Sequence, residues 1–336
     1  MTSSTILQIE DLRTHFHDRK VVLKAIDGID LRLERGEILG VVGESGCGKT
    51  TLALSILNLV PHPGYIESGR IIFEGRDVLR MPRHELRDLR GRRISMIFQD
   101  PIAGLNPILS VGDQVGEIIT AHSRVSKSDA RRQAVDLLAS MGLAEPERLA
   151  ARYPFQLSGG MAQRVMIAIA MALKPAVLIA DEPTSALDMT VQAQILDELR
   201  RLRDGGVSIL LITHDFGVMA QMADRVAVMY SGRIAEEGPP EILYRRPRHP
   251  YARALFESLP RLHEDSEGPL RHVQGRPPDP TNLPPQCAFI PRCPKALTTC
   301  RTLDSPPLTE IESHHYVACY NPVYYPDGDD EDDEGE

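Results

Sequence analysis

The chain has 336 residues, 42% of them apolar and 25% charged, which is the composition of a folded soluble protein and excludes global disorder or a collagen-like chain. Its net charge of −9 sits at one end: eight of the last ten residues, from Asp327 to Glu336, are acidic, and the remainder is nearly neutral. That balance argues against a basic nucleic-acid binder.

The N-terminal MTSSTILQIEDL has neither the basic nor the apolar segment of an export signal, so a cytosolic location is expected. No membrane span is expected either. The most apolar stretch, Val165 to Ala180, is 16 residues long and is broken by Lys174 and Pro175, whereas a spanning helix takes about 20 apolar residues. In the cytosol the five cysteines read as thiols or metal ligands and not as disulfides.

In chain order, residues 1–35 read as β-strands, and Ile38 to Val42 as a buried strand stopped by glycine. Lys49 to Leu59 has helical periodicity, and residues 68–100 return to strands, ending in Ile94–Phe98. Residues 102–157 are helical and more polar; the clearest amphipathic stretch runs from Ser126 to Leu143, with Ser128 as the expected N-cap. Strands return at Ala176–Ala180, Ile209–Thr213 and Arg225–Tyr230, with helices between them. This alternation implies an α/β fold with a parallel-rich core and a helical insertion. Near residue 240 the character changes, because most of the 26 prolines and four of the five cysteines lie beyond it. The expected organisation is therefore a core domain over 1–240, a Pro- and Cys-rich extension over 241–326, and a disordered acidic tail over 327–336.

Two constellations carry chemistry. Gly43, Glu44, Ser45, Gly46, Cys47, Gly48, Lys49 and Thr50 fit G-x-x-x-x-G-K-[ST] between a strand and a helix, with Thr51 next in the helix. Glycines let backbone N–H groups converge on phosphate oxygens, and the helix N-terminus adds its dipole. Lys49 would reach the β- and γ-phosphates, and Thr50 would hold Mg2+. Cys47 reads as a small loop residue; the sharper alternative is a thiol whose pKa the helix N-terminus depresses. The second constellation is Ala176 to Pro183, an apolar strand ending in two acids. Asp181 is placed to support Mg2+ and Glu182 to act as general base on the attacking water.

Further motifs follow in a telling order: Gln99 in IFQDP, Leu157 to Arg164 (LSGGMAQR), Ser185 to Asp188 (SALD) and His214 in LLITHDF. Together with the phosphate loop, this set resembles the ATPase subunits of ABC transporters over about residues 5–240. The resemblance implies a P-loop NTPase, an ABC nucleotide-binding domain with a RecA-like core, an antiparallel β part and a helical subdomain at about 102–157, followed by a small irregular extension. It also implies an ATPase that uses ATP and Mg2+. Gln99 is similar to the glutamine that touches Mg2+ or water and links the site to the membrane subunits. Ser158, Gly159 and Gly160 match the signature that caps the ATP of an opposing subunit, Asp188 the acid between the two sites, and His214 the switch histidine near the γ-phosphate. Phe16 stands where the family stacks an aromatic on adenine. Met161 replaces the commoner glutamine of the signature, with the Ser-Gly-Gly core intact.

The extension resembles that of the oligopeptide/dipeptide importer ATPases of the D type, through Arg245–Pro260, Cys287–Cys300 and His314–Pro322; Asp100–Pro107 (DPIAGLNP) points the same way. That resemblance implies uptake of di- or oligopeptides from the cytoplasmic side of the membrane. It also implies a second, F-type ATPase, two membrane permease subunits and an extracytoplasmic solute-binding protein. Nickel, glutathione and antimicrobial-peptide uptake systems share the architecture. A soluble, non-transport ABC ATPase is the remoter reading, since such chains usually carry two cassettes or a long coiled-coil insertion. Cys287, Cys293, Cys300 and Cys319 are spaced C-x5-C-x6-C-x18-C, neither a zinc-ribbon nor a standard ferredoxin run. Four thiols in a segment with little core suggest a metal staple. The family resemblance implies a 4Fe–4S cluster; zinc and unliganded thiols remain alternatives, and an extension that senses metal or redox state is compatible with the first. His314 and His315 are near enough in sequence to replace a ligand, but histidines in a polar turn are more often solvated, and both are read so.

Overall fold

A computed structural model of the chain describes residues 4–18, 21–185, 187–258 and 273–325. The acidic tail expected from Asp327 lies outside the described residues.

Two 14-residue strands, β1 (Thr5–Asp18) and β2 (Val21–Glu34), open the fold. In β2 the buried Ile29, Leu31 and Leu33 alternate with exposed Asp30 and Arg32, the period-2 pattern of a sheet with one face covered. After β3 (Ile38–Val42) and helix α1 (Lys49–Ile56) come β4 (Gly64–Phe73) and the short β5 (Arg76–Asp77). These complete an antiparallel sheet in the order β2-β1-β4-β5.

Helix α2 (Arg83–Leu89) and β6 (Ile94–Ile97) lead into the helical part: α3 (Val111–His122), α4 (Lys127–Ser140), α5 (Pro146–Ala150) and α6 (Gly159–Met171). The cap of α4 is Ser126 and not Ser128. Ser126 has extended backbone and its Oγ accepts the Asp129 amide at 3.1 Å. Asp129 returns a carboxylate to the same hydroxyl at 2.6 Å, which fixes the helix start two residues earlier than expected.

The chain then alternates β7 (Val177–Asp181), α7 (Met189–Asp204), β8 (Ser208–Ile212), α8 (Phe216–Met222), β9 (Arg225–Tyr230) and β10 (Arg233–Gly238). Beyond it lie α9 (Pro240–Arg245), α10 (Pro250–Glu257), α11 (Thr298–Thr302), β11 (Thr309–Glu312) and β12 (His315–Val317). The large sheet has the order β11-β12-β10-β9-β3-β8-β7-β6, with the five strands β9, β3, β8, β7 and β6 parallel. Strands β3, β7 and β8 are buried at every position, as strands covered on both faces must be. Leu39, Val41, Val177, Ile179, Leu210 and Ile212 face the layer shared with the antiparallel sheet, and Ile38, Val42, Leu178, Ala180, Ile209 and Leu211 face the opposite helical layer.

The extension adds two strands to this sheet through β10 and β12. Its anchor is a buried pair that overturns the solvated reading of His315. His315 Nε2 lies 2.7 Å from Glu236 Oε1, and both side chains are fully buried. Glu236 also accepts the amides of Arg248 and His249, each at 2.7 Å, so the carboxylate is satisfied inside the protein. His314 is exposed.

Candidate active site

The strand register brings the two chemical motifs to one edge. Val41 and Asp181 both sit opposite Ile212, and Ile97 opposite Ala180. The loop after β3, the acids ending β7, Thr213–His214 after β8 and Phe98–Gln99 after β6 therefore emerge together at the carboxyl ends of parallel strands, where open α/β sheets bind ligands.

Glycine is required where the loop presses on its surroundings. Gly48 has φ 107, and a Cβ there would lie 2.3 Å from the Ala25 carbonyl oxygen. At Gly43 a Cβ would lie 2.1 Å from that of Met229. Within the loop Ser45, Gly46 and Thr50 are exposed, whereas Lys49 is buried. Its Nζ donates to the carbonyls of Gly43 at 2.8 Å and Glu44 at 3.2 Å. The first amides of α1 have no acceptor within the helix and are free for a ligand. Thr51 is half-buried beside them. Cys47 is 5% exposed, and burial pushes its thiol up, which removes the depressed-pKa alternative.

Asp181 is 1% exposed and neither carboxylate oxygen has a hydrogen-bond partner. Burial pushes its carboxyl up and the Glu182 charge adds to this, with the Lys49 charge opposing. A sealed, unpaired carboxylate is costly unless a cation completes it, so Asp181 fits a Mg2+ ligand. Glu182 adopts the left-handed conformation, φ 52, at the end of β7. His214 lies across from it, Nδ1 to Oε2 at 2.6 Å, which makes the two residues one close pair. Gln99 is exposed at the same edge.

Ser158 caps α6, its Oγ accepting the Met161 amide at 3.3 Å. With Gly159, Gly160 and Asp188 it lines a separate surface pocket, so one chain does not bring the signature onto its own phosphate loop. Asp188 caps α7 through the Thr190 and Val191 amides at 3.1 and 3.0 Å. Phe16 packs over Gly64, and Thr14 two residues before it ties β1 to the C-terminal end of α1 through a hydroxyl hydrogen bond of 2.9 Å to Ser55.

Cys287, Cys293, Cys300 and Cys319 line one small pocket. Burial pushes up the thiols of Cys287, Cys293 and Cys319, the last to about 12, and the neighbouring sulfurs reinforce this for all three. Among the described residues, His15, His17 and Glu67 form the only set of three or more such donors mutually within 4.8 Å. A tetrahedral zinc would need its four sulfurs within about 4 Å of one another, and the pocket cysteines do not meet that spacing.

Two residues at this site have no local signal in the sequence. Tyr251 on α10 accepts the Glu44 amide at 3.0 Å, and Arg292 pairs with the Glu44 carboxylate at 2.8 Å. They lie 207 and 248 residues away in the chain, with no spacing rule to connect them.

Residues 26–185 match the ABC transporter family and residues 235–300 the oligopeptide/dipeptide transporter C-terminal region. The chain is 44% identical to a probable peptide ABC transporter ATP-binding protein of Sinorhizobium fredii, y4tR, over 94% of each. It is 43% identical to the oligopeptide transport ATP-binding protein AppD of Bacillus subtilis, over 94% of this chain and 97% of AppD. The dipeptide transport ATP-binding protein DppD of the same organism is also 43% identical, over 94% of each. Among solved structures, the dimeric bacterial ABC transporter cassette MJ0796 superposes with TM-score 0.63 at 27% identity, covering 70% of this chain and 98% of that one. The fold and site define a P-loop ATPase of the ABC type. The chain belongs to the ABC transporter ATP-binding family, in the branch that carries the oligopeptide/dipeptide C-terminal region.

Proposed function

We propose that this chain is the ATP-hydrolysing subunit of an importer that carries di- or oligopeptides across the cytoplasmic membrane. The observation that carries the reading is a phosphate site joined, in one chain, to the extension found in relatives named for oligopeptide and dipeptide transport. Lys49 and the amides of Gly43–Thr51 hold the phosphates, and Phe16 stacks on adenine. Thr50, Gln99 and Asp181 are the donors for Mg2+, which neutralises phosphate charge when bound. Glu182 takes the proton of the attacking water, while His214, with Nδ1 2.6 Å from its Oε2, holds the carboxylate in place.

Ser158, Gly159 and Gly160 face outward, so they cap the ATP of an opposing ATPase, and Asp188 stands at the same junction. In this reading the opposing subunit is of the F type, two permease subunits supply the membrane path, and a solute-binding protein delivers peptide from outside. No described helix is long and apolar enough to cross a membrane, so attachment is through the permeases. Phe98, Ile102, Ile108 and Phe155, exposed near Gln99 and in the helical part, supply an apolar surface for them. The four cysteines hold a 4Fe–4S cluster in this reading, which rests on an all-thiol donor set lining one pocket.

The test is ATP hydrolysis by the assembled transporter in vesicles. Peptide-loaded binding protein should stimulate turnover, whereas nickel or glutathione should not. Stimulation by one of those alone would overturn the solute assignment, and an assembled complex without turnover would overturn the enzyme assignment.

A further inference from the structure

Arg292 stands in the extension, yet its side chain is 3% exposed at the phosphate loop. Two parallel bonds grip Glu44, Nη1 to Oε2 at 2.8 Å and Nη2 to Oε1 at 2.9 Å. The other three N–H groups donate to the carbonyls of Gln274 at 2.8 Å and Val273 at 3.1 Å and to the Tyr230 hydroxyl at 3.3 Å. All five donors of the guanidinium are thus engaged. The rings of Tyr230 and Phe289 lie against it, with centroids 5.8 and 5.9 Å from its carbon. Arg292 has no freedom left to swing away from Glu44.

Glu44 is held from three sides. Its amide donates to the Tyr251 hydroxyl at 3.0 Å, its carbonyl accepts from Lys49 Nζ at 3.2 Å, and its carboxylate meets Arg292. Two of these three restraints come from beyond residue 240. The short turn Ile290–Arg292 is closed by Ile290 N to Cys287 O and Cys293 N to Ile290 O, each 3.2 Å. Two of the four pocket cysteines therefore bracket the turn that presents Arg292.

We infer that Arg292 is a positioning residue for ATP: through its pair with Glu44 the extension sets the phosphate loop, and the state of the cysteine pocket reaches the nucleotide by this route. The second half rests on the proposal that the pocket holds a bound group. The physical reason is that phosphate binding needs several loop amides aimed at once, so a small rotation at Glu44 misaims its neighbours. A plain tether between lobes would instead stabilise the fold without changing the affinity of the folded protein.

The experiment uses the full chain and a fluorescent ATP analogue, with melting temperature without nucleotide and iron content measured on the same samples. Arg292→Ala should weaken ATP binding about tenfold, the scale seen when a supporting partner of a ligand site is lost. Arg292→Lys should recover part of this, since a lysine keeps the charge but not the paired bonds. Combining Arg292→Ala with Glu44→Gln should cost no more than Arg292→Ala alone. Cys293→Ser should weaken ATP binding in the wild-type background and add nothing on top of Arg292→Ala. Unchanged ATP affinity in folded Arg292→Ala would overturn the inference, as would additive losses in the double variant. If the alanine variant does not fold, the lysine variant carries the test, and wild-type affinity there refutes it. Wild-type protein without bound metal would sink the cluster proposal and the second half of the inference, while the loop effect of Arg292→Ala tests the first half independently.

Discussion

Replacing Glu182 by glutamine isolates the chemical step. The side chain is 11% exposed and its Oε2 lies 2.6 Å from His214 Nδ1, so an amide of the same shape occupies the space without repacking. Its oxygen can keep the contact with His214, but its NH2 then faces the position from which a carboxylate would take the water's proton. Loss of a positioned general base costs roughly 10²–10⁴ in rate, or about 3–5 kcal/mol of barrier at about 1.4 kcal/mol per tenfold. The phosphate-holding groups belong to the loop after β3 and the site's acids to β7, so ATP affinity should stay within about twofold of wild type. The assay is phosphate release by the assembled transporter with the corresponding acid of the partner ATPase also changed, because one intact site would mask the loss. Subunit association in ATP should persist. Turnover within about threefold of wild type would refute the general-base role.

Three other perturbations test the framework. Asp27 is buried between Arg233 at 2.7 Å and Arg13 at 2.7 Å; burial alone would raise its carboxyl, but the arginines hold it below the usual value. Asp27→Asn should cost about 2 kcal/mol at pH 7, less than a fully buried pair because both arginines keep some water. Since the folded pKa is the lower one, that stability is present above the unfolded value of 3.8 and fades as pH falls through the folded value. Melting curves of variant and wild type should converge below about pH 4, and a constant gap would refute the pairing. Gly48→Ala places a Cβ 2.3 Å from the Ala25 oxygen at φ 107, so a loss of more than about 3 kcal/mol is expected in denaturant unfolding. Wild-type stability and ATP affinity would refute the close-approach argument. On the cluster proposal, anaerobically purified wild type should carry about four iron atoms per chain with matching sulfide, and Cys293→Ser should lose most of them. Full iron in the variant would remove Cys293 from the ligand set, and about one zinc without colour in the wild type would replace the cluster by a zinc staple.

The phosphate loop and the acids of β7 were legible because each is a contiguous run whose neighbours dictate its geometry. Eight residues from Gly43 to Thr50 carry the loop, and the apolar strand before Asp181 fixes where the acid emerges. Several strand positions were close for the same reason: Ile38–Val42 and Arg225–Tyr230 are strands over those residues, and the strands expected at Ala176–Ala180 and Ile209–Thr213 are each shifted by one residue. The 68–100 stretch read as strand instead begins its strand at Gly64 and holds helix α2 (Arg83–Leu89) before β6. Local competition moved the α4 cap to Ser126, since the capping serine is the one with Asp129 three residues on. His315 was misread because turn polarity near it says nothing about Glu236, 79 residues upstream on β10.

The amino-acid sequence by itself determined what depends on near neighbours: the G-x-x-x-x-G-K-T loop, the two acids at the end of β7, the Ser-Gly-Gly turn and the alternation that builds a doubly covered sheet. The tertiary structure decided what depends on groups far apart in the chain. It joined His214 to Glu182, seated β12 beside β10, gathered four cysteines in one pocket and delivered Arg292 to Glu44 across 248 residues. Periodicity and spacing encode backbone geometry over a few residues, whereas long-range contacts arise only when two buried surfaces pack and their polar groups must find partners in each other.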